Sequence, residues 1–363
     1  MVNSTTFPGH SHTISRNSAW ILVFMTIAAI LSATANNAGV GLTDDSYYYL
    51  DQAQELSQQG LTKYIQKHGF LQQLLVFVLR ISLENYCIVL SVLNTLAFVG
   101  SVGLWIWISL DLFPDRSRHL IFAILMTFNT PFLLTASFLW TDVYLHLFTS
   151  LLFAIYLKCK VPLRRWLLYL PVFALMLFAR KAGLLIMLGT VLVEMKIIST
   201  RYRWWSYILV FILIYLLYGY GFLPNYLGER PSLDFVPQNI EYQMITIFRW
   251  FLPIEGLFLA VVLVLFFVFL YFKGGFRPEW FALTIPSVYL LVRLFFEREF
   301  FEEHERYLSV MYPFFCMTIA GSISRPKDKI FYRITWIFIV IILFYNIVRS
   351  IKNVILWCDV SCS

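Results

Sequence analysis

Charge is scarce in these 363 residues. Only 13% are Asp, Glu, Lys or Arg, about half the share of an ordinary soluble domain, and this excludes a water-soluble enzyme of such length. Disorder is excluded from the other direction, because disordered chains are polar and this one is 60% hydrophobic. The five cysteines (Cys87, Cys159, Cys316, Cys358 and Cys362) are too few for a secreted disulfide scaffold and lack metal-ligand spacing. Cys358 and Cys362 could pair if the tail lies on an oxidising side of a membrane. Six scattered histidines form no HExxH cluster, which argues against a protein-built zinc site. There is no Walker loop and no GxGxxG, so a nucleotide is not the expected substrate. Neither a repeat of fixed period nor a low-complexity stretch is present.

What the chain has in abundance is apolar and aromatic surface: 18% Phe, Trp and Tyr, with a mean hydropathy of +0.72. One spanning helix needs about 20 mostly apolar residues, and irregular backbone is not tolerated against lipid. The expected fold is therefore all-α, a polytopic transmembrane helical bundle of about eleven spans (ten to twelve by length). The runs begin at Trp20–Ala35 and continue at Cys87–Leu110, Leu120–Leu139, Val143–Tyr156, Trp166–Phe178 and Leu184–Met195. Tyr207–Phe222, Phe251–Phe272, Phe281–Phe296, Tyr307–Ile323 and Phe331–Ile347 complete the set. Ala33-Thr34-Ala35 has the look of a signal-peptidase site, but with one basic residue before the run (Arg16) it reads as an uncleaved signal-anchor. Phe70–Leu83 is too short to span and suits an interfacial or re-entrant helix.

Orientation follows from the basic residues. The net charge of +7 reads as Lys and Arg gathered in cytoplasmic loops, with no nucleic-acid partner. With the N-terminus inside, the inner segments hold 16 of the 28 basic residues and only 5 of the 21 acids. An odd span count then puts the C-terminus outside, in a plasma or inner membrane. Residues 1–222 form one expected transmembrane module and residues 223–363 a second with outer loops.

Three outer segments carry the polar groups that could do chemistry. In the first, Thr43 can cap a helix on which Asp44, Tyr48 and Asp51 share one face. The pattern is either a solvated surface helix or, with Asp44 and Asp45 adjacent at the membrane surface, a general base whose partner raises its pKa. Asp142 follows Trp140-Thr141 in a turn too short for a solvated loop; it either caps the fourth span or faces a cavity. Arg180 and Lys181 interrupt the run Leu167–Val193, as a hairpin turn or as the lining of an aqueous cavity able to pair with phosphate. Arg293 breaks another run, and His304-Glu305-Arg306-Tyr307 opens the tenth span; Glu302, Glu303 and Glu305 either neutralise these arginines or leave them available.

Asp44-Asp45-Ser46-Tyr47-Tyr48-Tyr49 through Ala53, Thr141-Asp142, Leu177 to Gly183, and Glu305-Arg306-Tyr307-Leu308 with Tyr312-Pro313 together resemble the polytopic glycosyltransferases of the GT-C superfamily. The likeness covers most of residues 1–200 and a patch near 305–313. It implies an inverting transfer of sugar from a polyprenyl-phosphate-linked donor to a glycan or lipid acceptor on the outer face. By the resemblance, Asp44 or Asp45 deprotonates the acceptor, with Asp142 a third candidate carboxylate. Arg180, Lys181 and Arg306 are the candidates to meet the leaving lipid phosphate, and Tyr48, His304 and Tyr307 to contact substrate. No cofactor is expected; Asp44 with Asp142 could hold one divalent metal, which is not favoured. The rival readings are a transporter or flippase for a lipid-linked anion, which would use the same cations without a base, and an O-antigen-type polymerase. The lack of internal symmetry tells against a transporter.

Overall fold

The computed structural model describes residues 14–43, 46–47, 50–51, 53, 74–75, 77–78, 80, 85–113, 115–180, 182–197, 233–252, 280–294, 304–323 and 329–358. Every regular element among them is helical, and one isolated bridge joins Gly41 to Phe138. The helices are α1 (Ile14–Ala35), α2 (Tyr86–Leu112), α3 (Arg116–Thr127), α4 (Thr130–Ser137), α5 (Asp142–Lys158), α6 (Pro162–Ala179) and α7 (Gly183–Ile197). After them come α8 (Val236–Phe251), α9 (Trp280–Arg293), α10 (His304–Leu308), α11 (Tyr312–Gly321) and α12 (Lys329–Trp357).

Four described helical stretches are long and apolar enough to cross a membrane: Tyr86–Leu112, Arg116–Ser137, Pro162–Ala179 and Tyr332–Trp357. Shorter apolar helices accompany them at Ala19–Ala35, Gly183–Glu194 and Phe281–Arg293. By length and composition this is a membrane protein. Its exposed apolar rows agree: Ile88, Val92 and Leu96 on α2, and Ile337, Ile341, Phe344, Val348 and Ile355 on α12, recur at helical spacing and face outward. Such ridges would be a liability in water and are the expected surface in lipid.

Inside, α2, α5 and α11 meet through aromatic side chains. Trp105 stacks on Phe153 at 5.4 Å, and Phe314 meets both edge-on. Small residues allow the closest approaches. A Cβ on Gly189 would lie 3.1 Å from the Ile285 Cα, so α7 and α9 pack nearly backbone to backbone. A satellite cluster of Val40, Leu50, Ala53, Leu75, Val78, Leu90 and Leu139 seats the described parts of residues 36–86 on the end of the bundle. The helical residues at 74–80 fall within Phe70–Leu83, where a short helix was expected.

Several expected spans are differently shaped. Leu120–Leu139 is broken into α3 and α4, because the Asn129 side chain accepts from Phe132 N (3.0 Å) and Pro131 restarts the helix. Tyr307–Ile323 is broken by a 3-10 turn at Ser309–Met311 before α11. The last helix runs ten residues beyond Ile347, to Trp357. Tyr207–Phe222 and nearly all of Phe251–Phe272 lie outside the described residues. The pairing of Cys358 with Cys362 that the sequence allowed does not form. Cys358 is a thiol whose Sγ donates to the Ile355 carbonyl, whereas Cys87, at the start of α2, is disulfide-bonded.

The bundle has two chemically different ends. At one, Arg116 lies over the Trp20 ring (5.4 Å), Lys158 pairs with Asp111 (2.5 Å), and buried Arg165 pairs with Glu194 (2.7 Å). At the other, the carbonyls ending α4 accept from amides of neighbouring helices: Asn36 Nδ2 to Ala136 (3.3 Å) and Asn94 Nδ2 to Phe138 (3.1 Å). The starts of α2, α5 and α7 and the ends of α1, α4 and α6 gather at this second end.

Candidate functional site

Asp142 is the first residue of α5, where a carboxylate suits the positive end of the helix dipole. Its Oδ2 accepts from Arg180 Nη1 and, at 2.9 Å, from Arg306 Nε. These partners stand 38 and 164 residues away in sequence. Asp142 and Arg306 are each only 3% exposed. A buried carboxylate between two guanidiniums is held as the anion of an ion cluster, since the pairing offsets the cost of taking either charge out of water.

Aromatic rings carry the rest of the arrangement. The Arg306 guanidinium lies 4.3 Å over Trp140, while Tyr307 has Arg180 at 4.2 Å, Arg293 at 4.8 Å and Arg306 at 5.4 Å from its ring centre. Three guanidiniums thus surround one tyrosine ring, and among the described residues the Asp142 carboxylate joins two of them. Guanidiniums gathered in this way can pair with an anionic group such as a carboxylate or a phosphate. Among the described residues no three His, Cys, Asp or Glu side chains converge.

Local backbone explains how each arginine arrives. Arg180 leaves α6 in extended conformation, its N–H closing on the Met176 carbonyl (2.9 Å) and its carbonyl accepting from Gly183 N (2.9 Å). A Cβ on Gly183 would fall 2.8 Å from the Met176 carbonyl oxygen, so this turn requires glycine. Arg293 ends α9, whose last carbonyls accept from α8: Asn239 Nδ2 reaches Leu294 at 3.0 Å and Arg293 at 3.4 Å. Arg306 sits on α10, which Arg349 of α12 grips through the neighbouring Glu305 at 2.6 Å.

The segment that follows α1 reaches the same place. Trp140 Nε1 donates to Thr43 Oγ1 (3.2 Å), Ser46 Oγ donates to the Leu139 carbonyl (3.3 Å), and Gly41 bonds the backbone of Ser137 and Leu139. Thr43 and Ser46, which bracket Asp44 and Asp45 in sequence, are therefore docked on the strand-like turn that leads into Asp142. Asp44, Asp45, Tyr48 and Lys181 themselves lie outside the described residues, as does the side chain of His304. Of the candidates, the structure brings together Asp142, Arg180, Arg306 and Tyr307.

Three further participants went unassigned in the sequence reading: Trp140, Arg293 and His146. Arg293 had a visible signal in its interruption of an apolar run. His146 follows Asp142 by one helical turn, a spacing that puts both on one face of α5. Trp140 had no signal beyond its place next to Thr141.

No protein family, curated protein or solved structure matches this chain.

Proposed function

We propose that this chain is a membrane glycosyltransferase of GT-C type, with about eleven spans, that moves a sugar from a polyprenyl-phosphate-linked donor to a glycan or lipid acceptor on the outer face. The observation that carries the reading is the buried cluster of Arg180, Arg306 and Asp142, bound together from three distant segments at the bundle end where Thr43 docks. An anion-seeking site at a helix-bundle end suits a phosphate whose lipid tail stays in the bilayer.

In this reading Asp44 or Asp45 takes the proton of the acceptor hydroxyl. The hydroxyl oxygen attacks the anomeric carbon, the bond from that carbon to the phosphate oxygen breaks, and configuration inverts. The charge gained by the leaving polyprenyl phosphate is met by Arg180 and Arg306, with Lys181 beside them in sequence. Asp142, already accepting from two guanidiniums, is a poor proton acceptor and serves to aim them. Tyr307 packs its ring against the guanidiniums, and Tyr48 and His304 contact substrate. The reaction needs no cofactor.

The topology belongs to the same proposal: N-terminus in the cytoplasm, basic bundle end inside, site outside. The Cys87 disulfide at the site end supports this, because disulfides persist on the oxidising side of a membrane.

The deciding experiment is sugar transfer from a polyprenyl-phosphate donor by purified Asp44→Asn and Asp45→Asn variants. One of them should lose roughly 10²–10⁴-fold in rate, the usual worth of a general base, with donor binding intact. Full transfer in both would remove the carboxylate base from the mechanism. Donor translocation by the parent without any transfer would point to the transporter.

A further inference from the structure

His146 is 1% exposed and lies in the middle of the cluster's supporting layer. Its ring stacks on Phe132 of α4 with centroids 3.8 Å apart and planes 11° from parallel. Its Nε2 is 3.0 Å from Ser309 Oγ, and that hydroxyl lies 2.5 Å from the Arg306 carbonyl oxygen. A serine has one hydroxyl hydrogen, and the short bond to the carbonyl uses it. With that hydrogen on the carbonyl, we assign the tautomer that puts the imidazole proton on Nε2, donating to Ser309, and makes Nδ1 the acceptor. Nδ1 is buried and has no partner among the described residues. A phenyl ring would stack on Phe132 equally well without a stranded nitrogen. What distinguishes histidine at this place is the bond from Nε2.

That bond ties α5, one turn below Asp142, to the 3-10 turn that follows Arg306. We infer that His146 is a positioning residue: through Ser309 it fixes the bend at Ser309–Met311 and so holds the Arg306 guanidinium against Asp142. The bend is what separates α10 from α11. A continuous helix through Ser309 would turn Arg306 with the rest of the span, whereas the pinned bend lets its Nε meet the carboxylate side-on.

This rests in part on the donor-phosphate reading above, and the test separates the two. A glutamine amide reaches about where imidazole Nε2 does, and an asparagine amide about where Nδ1 does. Binding of a short-chain polyprenyl phosphate to the purified, detergent-solubilised protein should stay near the parent's in His146→Gln. It should weaken about tenfold in His146→Phe, His146→Asn and Ser309→Ala, since Arg306 is one charge-assisted contact. His146→Phe with Ser309→Ala should lose no more than either alone. Parent-like binding by His146→Phe, or rescue by Asn instead of Gln, overturns the inference. A second readout needs no ligand: thermal midpoints of His146→Phe, Arg306→Gln and their combination should be less than additive, and additive shifts overturn it. If the parent binds no polyprenyl phosphate, the donor reading falls while the midpoints still decide the role of His146.

Discussion

Asp142 does for two arginines what neither could manage alone at that depth. Removing one partner of a buried ion cluster costs far more than removing the whole, because charge is left without a counter-ion. Asp142→Asn should therefore destabilise the solubilised protein by roughly 3–5 kcal/mol, read as a large fall in thermal midpoint. Adding Arg180→Gln to that variant should recover part of the loss, since it removes one of the two guanidiniums that shared the lost carboxylate. A double variant less stable than Asp142→Asn alone would mean that Arg180 draws its stability from elsewhere. Arg165, Tyr169 and Glu194 at the opposite end form a comparable buried group, with Arg165 at 2.7 Å and Tyr169 at 2.8 Å from the carboxylate. That group clamps α6 to α7 and lies far from the aromatic-lined cluster.

Helix contacts divide into those that tolerate a methyl group and those that do not. At Gly100 an added Cβ meets only the mobile end of Leu147 (3.3 Å), whereas at Gly189 it meets Ile285 Cγ1 at 3.0 Å and Cα at 3.1 Å. Gly100→Ala should leave the thermal midpoint nearly unchanged. Gly189→Leu should cost about 1–3 kcal/mol by overpacking, partly restored by Ile285→Ala; equal tolerance at both sites would contradict the close α7–α9 crossing. The positions of α2, α5, α6 and α7 were legible in the sequence, since each is a continuous apolar run flanked by polar residues. The length of α12 was not. The expected span ends at Ile347, yet Arg349 bonds Glu305 (2.6 Å) and the Arg249 carbonyl (2.7 Å), which lets the helix continue. Tyr345, Asn346, Arg349 and Ser350 form a polar stripe on its inner side, bonding Arg249, Tyr312, Glu305 and Thr130 in turn. Long-range partners of this kind leave no periodic trace. The same holds for the site: the residue types and their order along the chain were readable, but the pairing of Asp142 with Arg306 needed the fold.

The two ends of the bundle make a whole-molecule test with native thiols. Cys159 sits at the basic end after α5, and Cys358 at the site end, where Trp357 packs edge-on against Phe138 at 6.4 Å. An impermeant thiol reagent added to intact cells should modify Cys358 and leave Cys159 untouched until the membrane is permeabilised. Cysteines introduced at Asp45 and Arg230 should behave like Cys358, and one at Arg164 like Cys159. The reverse pattern would place the arginine cluster in the cytoplasm and remove the outer-face acceptor from the proposed reaction. The apolar ridges on the helices have a consequence for how the proposed enzyme would be supplied. Leu167 and Leu170 on α6 are exposed, and Arg180 directly follows this helix. A donor anchored in the bilayer would approach sideways along such a surface. Its effective concentration is then its share among the surrounding lipids, and the rate responds to crowding within a sheet two molecules thick instead of to the volume of the cell around it.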